Sequence, residues 1–208
     1  MAETRSTFLA ATEAARPVVA LPEASLRWEE PSALREMTVG ALVAHLVRAV
    51  TNVERGLAAP VPEGVEPITA AVYFVDVNAD LASANNVRVR ATSDEEALVG
   101  HRATLGRMDR GLERLRGRLE SEPADRLVTL RDGEVLLLDE YLKSRILEIT
   151  VHTDDLCVSL GRETPVLPGL EISTTLLLHV AALRHGDLAV LRALARRERD
   201  RDEVLRVI

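Results

Sequence analysis

The chain has 208 residues, 47% hydrophobic and 28% charged, which suits one domain with a small appendage and is too apolar for a disordered chain. A net charge of −7 and only 2% aromatic residues argue against a nucleic-acid surface, an anionic membrane surface, or recognition by base or sugar stacking. One cysteine excludes a disulfide framework and a thiolate zinc finger, no apolar run reaches a bilayer's roughly 20 residues, and MAETRSTFLAATEAARP lacks a signal-peptide pattern, so a cytoplasmic location is expected.

The elements read as mainly α. Phe8, Ala11 and Ala15 share a face of a first helix that starts near Ser6 and is expected to stop at Pro17. Val18 to Met37, with two prolines and the only tryptophan, Trp28, reads as an ordered connector. Thr38 can cap a second helix to about Leu57, with Val39, Leu42, Val43, Leu46, Val47 and Val50 in helical phase. Pro60, Pro62 and Pro67 mark a loop, and Ile68 to Ala84 is expected to form a third helix. Ser93 and Glu96 make a capping-box pattern at the head of a long helix, in which Leu98, His101, Leu105, Met108, Leu112, Leu115 and Leu119 follow a heptad-like rhythm up to Pro123.

Arg126 to Leu138 changes period and reads as a β-hairpin with Asp132-Gly133 at its tip. Asp139 to Leu160 returns to helix and ends at Gly161. Beyond Pro165 and Pro168, two short helices are expected at about Glu171–Arg184 and Asp187–Arg199, with Gly186 between them. The terminal VLRVI is expected to add a strand to the hairpin, and RRERDRDE reads as a solvated helix end.

The helix from Asp139 to Leu160 carries the chemistry. At about 100° per residue, Lys143, Thr150 and Asp154 fall on one side, which suits solvent. Tyr141, Arg145, Glu148, His152, Asp155 and Ser159 fall on the other. Leu142, Ile146, Ile149 and Leu160 flank that stripe on one side, and Leu147, Val151 and Val158 on the other. A polar stripe between apolar flanks must point inward, where charges need partners or a metal. Glu148 and His152, four residues apart, can converge on one point; they are either half of a metal site or a structural pair. A third ligand would come from another helix, and His45 is the leading candidate, with small Ala41 and Ala49 one turn to either side. Two histidines and one glutamate would leave an open coordination position, the catalytic arrangement for zinc. His101 reads as a hydrogen-bonded core residue, His179 and His185 as packing and surface residues, and Cys157 as a small core residue.

The segment TVGALVAHLVRAV, with Trp28 and Pro31-Ser32 upstream, resembles the opening of the mycothiol-dependent maleylpyruvate isomerase N-terminal family. So does EYLKSRILEITVHTDDL, whose H-T-D-D-L ending after E-x-x-x is the most specific part. The family belongs to the wider DinB/YfiT-like metalloenzymes, and the likeness runs from about Phe8 to Gly161. It implies a DinB-like four-helix bundle over residues 1–162, here with a small β-hairpin, followed by a helical appendage over 163–208. It also implies zinc or another divalent metal on His45, Glu148 and His152, with mycothiol as thiol cosubstrate and a small electrophile as its target. Arg145 can bind a substrate carboxylate or pair with Glu148 or Asp155, and Asp155 can orient a ligand histidine. Arg88 and Arg90 are expected to be solvated at the surface. Only 46 residues follow Arg162, which favours an S-transferase over an isomerase. A metal-dependent hydrolase and a non-enzymatic metal-binding regulatory protein are the alternatives. No nucleic-acid or membrane partner is expected, and the chain is expected to be a monomer or homodimer.

Overall fold

The computed structural model describes residues 2–76, 82–130, 133–195 and 202–205. In chain order the elements are α1 (Ala2–Val19), α2 (Pro22–Leu26), α3 (Val39–Ala58), α4 (Ala70–Asp76), α5 (Ala84–Ala97), α6 (His101–Ser121), β1 (Leu127–Thr129), β2 (Val135–Leu137), α7 (Leu138–Leu160), α8 (Leu170–His185), α9 (Asp187–Ala195) and α10 (Asp202–Leu205). The fold is mainly helical with one antiparallel hairpin. α1, α7, α3 and α6 form a four-helix ring in which α1 and α3 each pack on both α6 and α7. Phe8, Leu42, Leu46, Leu115, Leu142 and Ile146 are fully buried at its centre. No helix among the described residues is long and apolar enough to cross a membrane.

Local chemistry sets the ends of the two helices that matter most. The Thr38 hydroxyl accepts from Ala41 N at 3.1 Å and starts α3. α7 begins directly after β2 and ends at Gly161, whose φ of 65° is the left-handed region; Arg162 N then donates to Cys157 O at 2.9 Å. The hairpin pairs Leu127 with Leu137 and Thr129 with Val135, and Gly133 (φ 94°) lies in its turn. Asp132 lies outside the described residues. Trp28 is seated by two contacts: its indole N–H donates to Ala97 O at 3.2 Å, and its ring lies on Gly40. A Cβ at Gly40 would meet that ring at 2.6 Å, so the first turn of α3 needs glycine there.

Several expectations are corrected. Pro17 does not stop α1, which runs to Val19; so near the end the proline removes a single backbone bond, and Ala20 N still reaches Arg16 O at 3.0 Å. The connector from Val18 to Met37 contains the short helix α2, opened by Pro22. The expected third helix is described as α4 over Ala70–Asp76, while Ala84 already belongs to α5. Ser93 and Glu96 do not cap a helix, because both lie inside α5 and the Ser93 hydroxyl donates to Val89 O at 2.7 Å. The break falls instead at Gly100, with φ 80°, and Leu98 is 85% exposed, outside the packed face of α6. Val204 and Leu205 belong to α10 and not to a strand; the charge run ends with Asp202 and Glu203 in α10, while its residues 196–201, and residues 206–208, lie outside the described residues.

The outer face of α7 is also different from expectation. Lys143 and Asp154 reach the surface, but Thr150 is only 4% exposed because α8 packs across it. The approach is close enough that a Cβ on Gly169 would lie 2.4 Å from Ile146 Cγ2 and 2.6 Å from Thr150 Oγ1. Leu147 joins Phe74, Leu176, Val180 and Val190 in a second apolar cluster shared by α4, α7, α8 and α9. Val158, expected on an apolar flank, is exposed.

Candidate metal centre

α3 and α7 pack side by side in the bundle, and polar groups from both meet at their interface. His45 Nε2 lies 3.1 Å from Glu148 Oε2, and His152 Nε2 lies 3.2 Å from the same oxygen. The two rings meet edge to face, with centroids 4.6 Å apart. One ligand atom from each of the three residues lies within 4.8 Å of the others. The side chains of His45, Glu148 and His152 are 16%, 19% and 16% exposed, so the cluster is recessed without being sealed.

The donor set suits a small divalent ion. Two imidazole nitrogens and a carboxylate oxygen are ordinary zinc ligands, and tetrahedral bonds of about 2.1 Å place such donors about 3.4 Å apart. The two nitrogen–oxygen separations, 3.1 and 3.2 Å, are within a few tenths of an ångström of that spacing. The sequence reading placed Glu148 and His152 on one stripe and took His45 from the facing helix, and these three are brought together.

The electrostatics of the cluster are uneven. Burial and the neighbouring His152 push the His45 ring down to about 4. Burial also opposes charge on His152, but hydrogen bonds to Asp155 and Glu148 outweigh it and raise that ring to about 9. Burial opposes a charged Glu148 too; hydrogen bonds from His152 and His45 nevertheless hold its carboxyl well below the usual range. Asp155 Oδ2 lies 3.0 Å from His152 Nδ1, the position of an orienting carboxylate. Ser159, next along the stripe, ties the connector down by accepting from Ala33 N at 2.8 Å.

Arg145 is 8% exposed, and no ion pair among the described residues involves it. Its Nε donates to Ser144 Oγ at 3.1 Å, and its guanidinium lies 5.1 Å from the Tyr141 ring centroid. The expected alternative, an ion pair with Glu148 or Asp155, is not what the side chain makes.

Arg48 was not singled out by the sequence, although it follows His45 by three residues and so shares its side of α3. It donates to His45 Nδ1 at 2.7 Å, Glu96 Oε2 at 2.8 Å and Ser93 Oγ at 2.9 Å. Other candidates take ordinary places. His101 Nε2 donates to Val19 O at 2.7 Å and meets Trp28 edge-on. His179 and His185 are exposed, and Cys157 is buried in the core. Arg88 donates to Asn85 at 2.8 Å, whereas Arg90 is not simply solvated: it is mostly covered and pairs with Glu36 at 3.0 Å.

The family model for the mycothiol maleylpyruvate isomerase N-terminal domain matches residues 8–157. The chain belongs to that family. Among solved structures, its fold is similar to that of the mycothiol-dependent maleylpyruvate isomerase, at 17% identity and a TM-score of 0.55. A histidine-to-alanine variant described by the same name matches at 16% identity and a TM-score of 0.53. In both, the match covers 85% of this chain and 67% of the other. No curated protein matches the sequence.

Proposed function

We propose that this family member is a divalent-metal enzyme that activates a low-molecular-weight thiol for attack on a small electrophile. The observation that supports it most is the convergence of His45 Nε2 and His152 Nε2 on one oxygen of Glu148. Those three residues would hold the metal, with zinc best matched to the donor set, and three protein ligands leave room for an outside ligand. A metal bound there supplies Lewis-acid stabilisation of a thiolate at neutral pH. Mycothiol is the thiol named both by the family and by the two solved relatives.

The chain's own residues divide the remaining work. Asp155 accepts the Nδ1–H of His152 and fixes that ring with Nε2 toward the site. Arg145 binds an anionic group of the substrate: its guanidinium is buried on the stripe, carries no carboxylate partner among the described residues, and is steadied by Ser144 and the Tyr141 ring. Attack on the substrate followed by release of the conjugate is an S-transferase reaction. Addition to a cis double bond, rotation and re-elimination is the isomerase outcome.

The test uses the purified chain loaded with zinc. Conjugation of a model electrophile, and isomerisation of maleylpyruvate, are followed with and without mycothiol. Thiol-dependent turnover in either assay is expected, with KM for an anionic substrate raised in Arg145→Met. Failure to take up metal, or hydrolytic turnover indifferent to thiol, overturns the reading.

A further inference from the structure

The two histidines of the cluster are held by opposite kinds of neighbour. His152 Nδ1 faces a carboxylate, Asp155 Oδ2 at 3.0 Å, which only accepts. The Nδ1 proton therefore stays in place, and Nε2 needs only to give up the proton it shares with Glu148 Oε2 at 3.2 Å for its lone pair to reach a metal. His45 Nδ1 faces Arg48 Nη2 at 2.7 Å, and a guanidinium only donates. Nδ1 of His45 is therefore the acceptor, and its ring proton sits on Nε2, the atom that points at Glu148 Oε2. A neutral imidazole that ligates through Nε2 must carry its proton on Nδ1, where it would meet the Arg48 N–H head on.

We infer that Arg48 is a positioning residue that holds His45 in the tautomer unable to ligate, so that metal uptake requires Arg48 to release His45. This rests on the metal reading above. The release is cheap. Arg48 Nη2 has two hydrogens and three acceptors in reach, namely His45 Nδ1, Ser93 Oγ at 2.9 Å and Val89 O at 3.4 Å. Letting go of His45 leaves one acceptor for each hydrogen, while Nη1 keeps Glu96 at 2.8 Å. Ser93 is ready for this role, since its own proton is committed to Val89 O at 2.7 Å and its oxygen is free to accept. The buried Ser93 on α5 is thus the anchor that keeps the guanidinium in the site when His45 turns to the metal. The consequence is a site that binds its ion less tightly than its ligands alone would allow.

The experiment measures zinc and cobalt affinity by chelator competition for the wild type, Arg48→Lys, Arg48→Met and Arg48→Gln, with circular dichroism on each. Lysine keeps a donor, methionine offers neither donor nor acceptor, and glutamine offers an acceptor for Nδ1–H. Affinity is expected to stay within about threefold in Arg48→Lys and to rise about tenfold or more in Arg48→Met and Arg48→Gln. Unchanged or weaker binding in folded Arg48→Met overturns the inference, because the guanidinium would then support the ligating ring. Long-range ¹H–¹⁵N correlation on the metal-free wild type decides the matter if the variants misfold: His45 is expected protonated on Nε2 alone, and protonation on Nδ1 overturns the inference. Absence of binding in every protein, wild type included, sinks the metal reading itself, a result distinct from a failure of the Arg48 series.

Discussion

The burial of α7 toward α3 and its burial toward α8 obey different rules. Toward α3, the polar groups of His45, Glu148, His152 and Asp155 hold one another at 3.0–3.2 Å. Toward α8, Thr150 Oγ1 is buried with no hydrogen-bond partner among the described residues, as is Ser173 Oγ on α8 itself. Buried polarity with converging partners marks a place where charge has been arranged. Buried polarity without partners marks a place where two helices simply close on each other, at a cost of about 1–3 kcal/mol for each unmet group.

The sharpest way to break that contrast is Glu148→Ala. It removes the oxygen shared by both imidazoles, and zinc affinity is expected to fall by more than ~100-fold in competition titrations while far-UV circular dichroism stays helical. A globally unfolded variant would make the cluster structural. Next in size is Asp155→Ala, which leaves His152 Nδ1 without its acceptor; affinity is expected to drop by about 10–100-fold by the same titration.

On the other side, Gly169→Ala places a methyl group against Ile146 and Thr150. A loss of about 1–3 kcal/mol in denaturant unfolding is expected, with metal affinity unchanged. Coupled loss of metal would show that the two faces are not independent. The smallest effect is expected from Thr150→Val, which swaps the unpartnered hydroxyl for a methyl of similar shape. Stability should be unchanged or gain up to about 1 kcal/mol, a rise of about 2–4 °C in Tm by calorimetry.

The inward face of α7 was legible because one helix carried the whole signal: polar residues at helical spacing between two apolar flanks. α3 was legible for a similar reason, with Thr38 at its head and an apolar run in phase behind it. The outer face was not. Thr150 reads as solvent-facing on its own helix, and only the docking of α8 buries it, which no periodicity within α7 can report. α5 was missed because its sequence, ANNVRVRATSDEEA, has few apolar residues, and what it buries against α3 is small, Ser93 and Ala97. Ser93 followed three residues later by Glu96 then imitated a helix start inside a helix. His45 was found as a ligand candidate by its type, but Arg48 stayed hidden because its importance lies in the direction of one hydrogen bond, which spacing does not encode.

The seat of Trp28 has a practical consequence. It is the chain's only tryptophan, and it is pinned at once by the backbone of Gly40 on α3, the carbonyl of Ala97 at the end of α5 and the edge of His101 on α6. Its near-ultraviolet emission therefore comes from a single place, the junction where the N-terminal connector locks the helix bearing His45 to the helix that anchors Arg48. A red shift reports water reaching that junction, so the fluorescence of the unmodified protein separates loosening of this end of the bundle from events on the far side of α7.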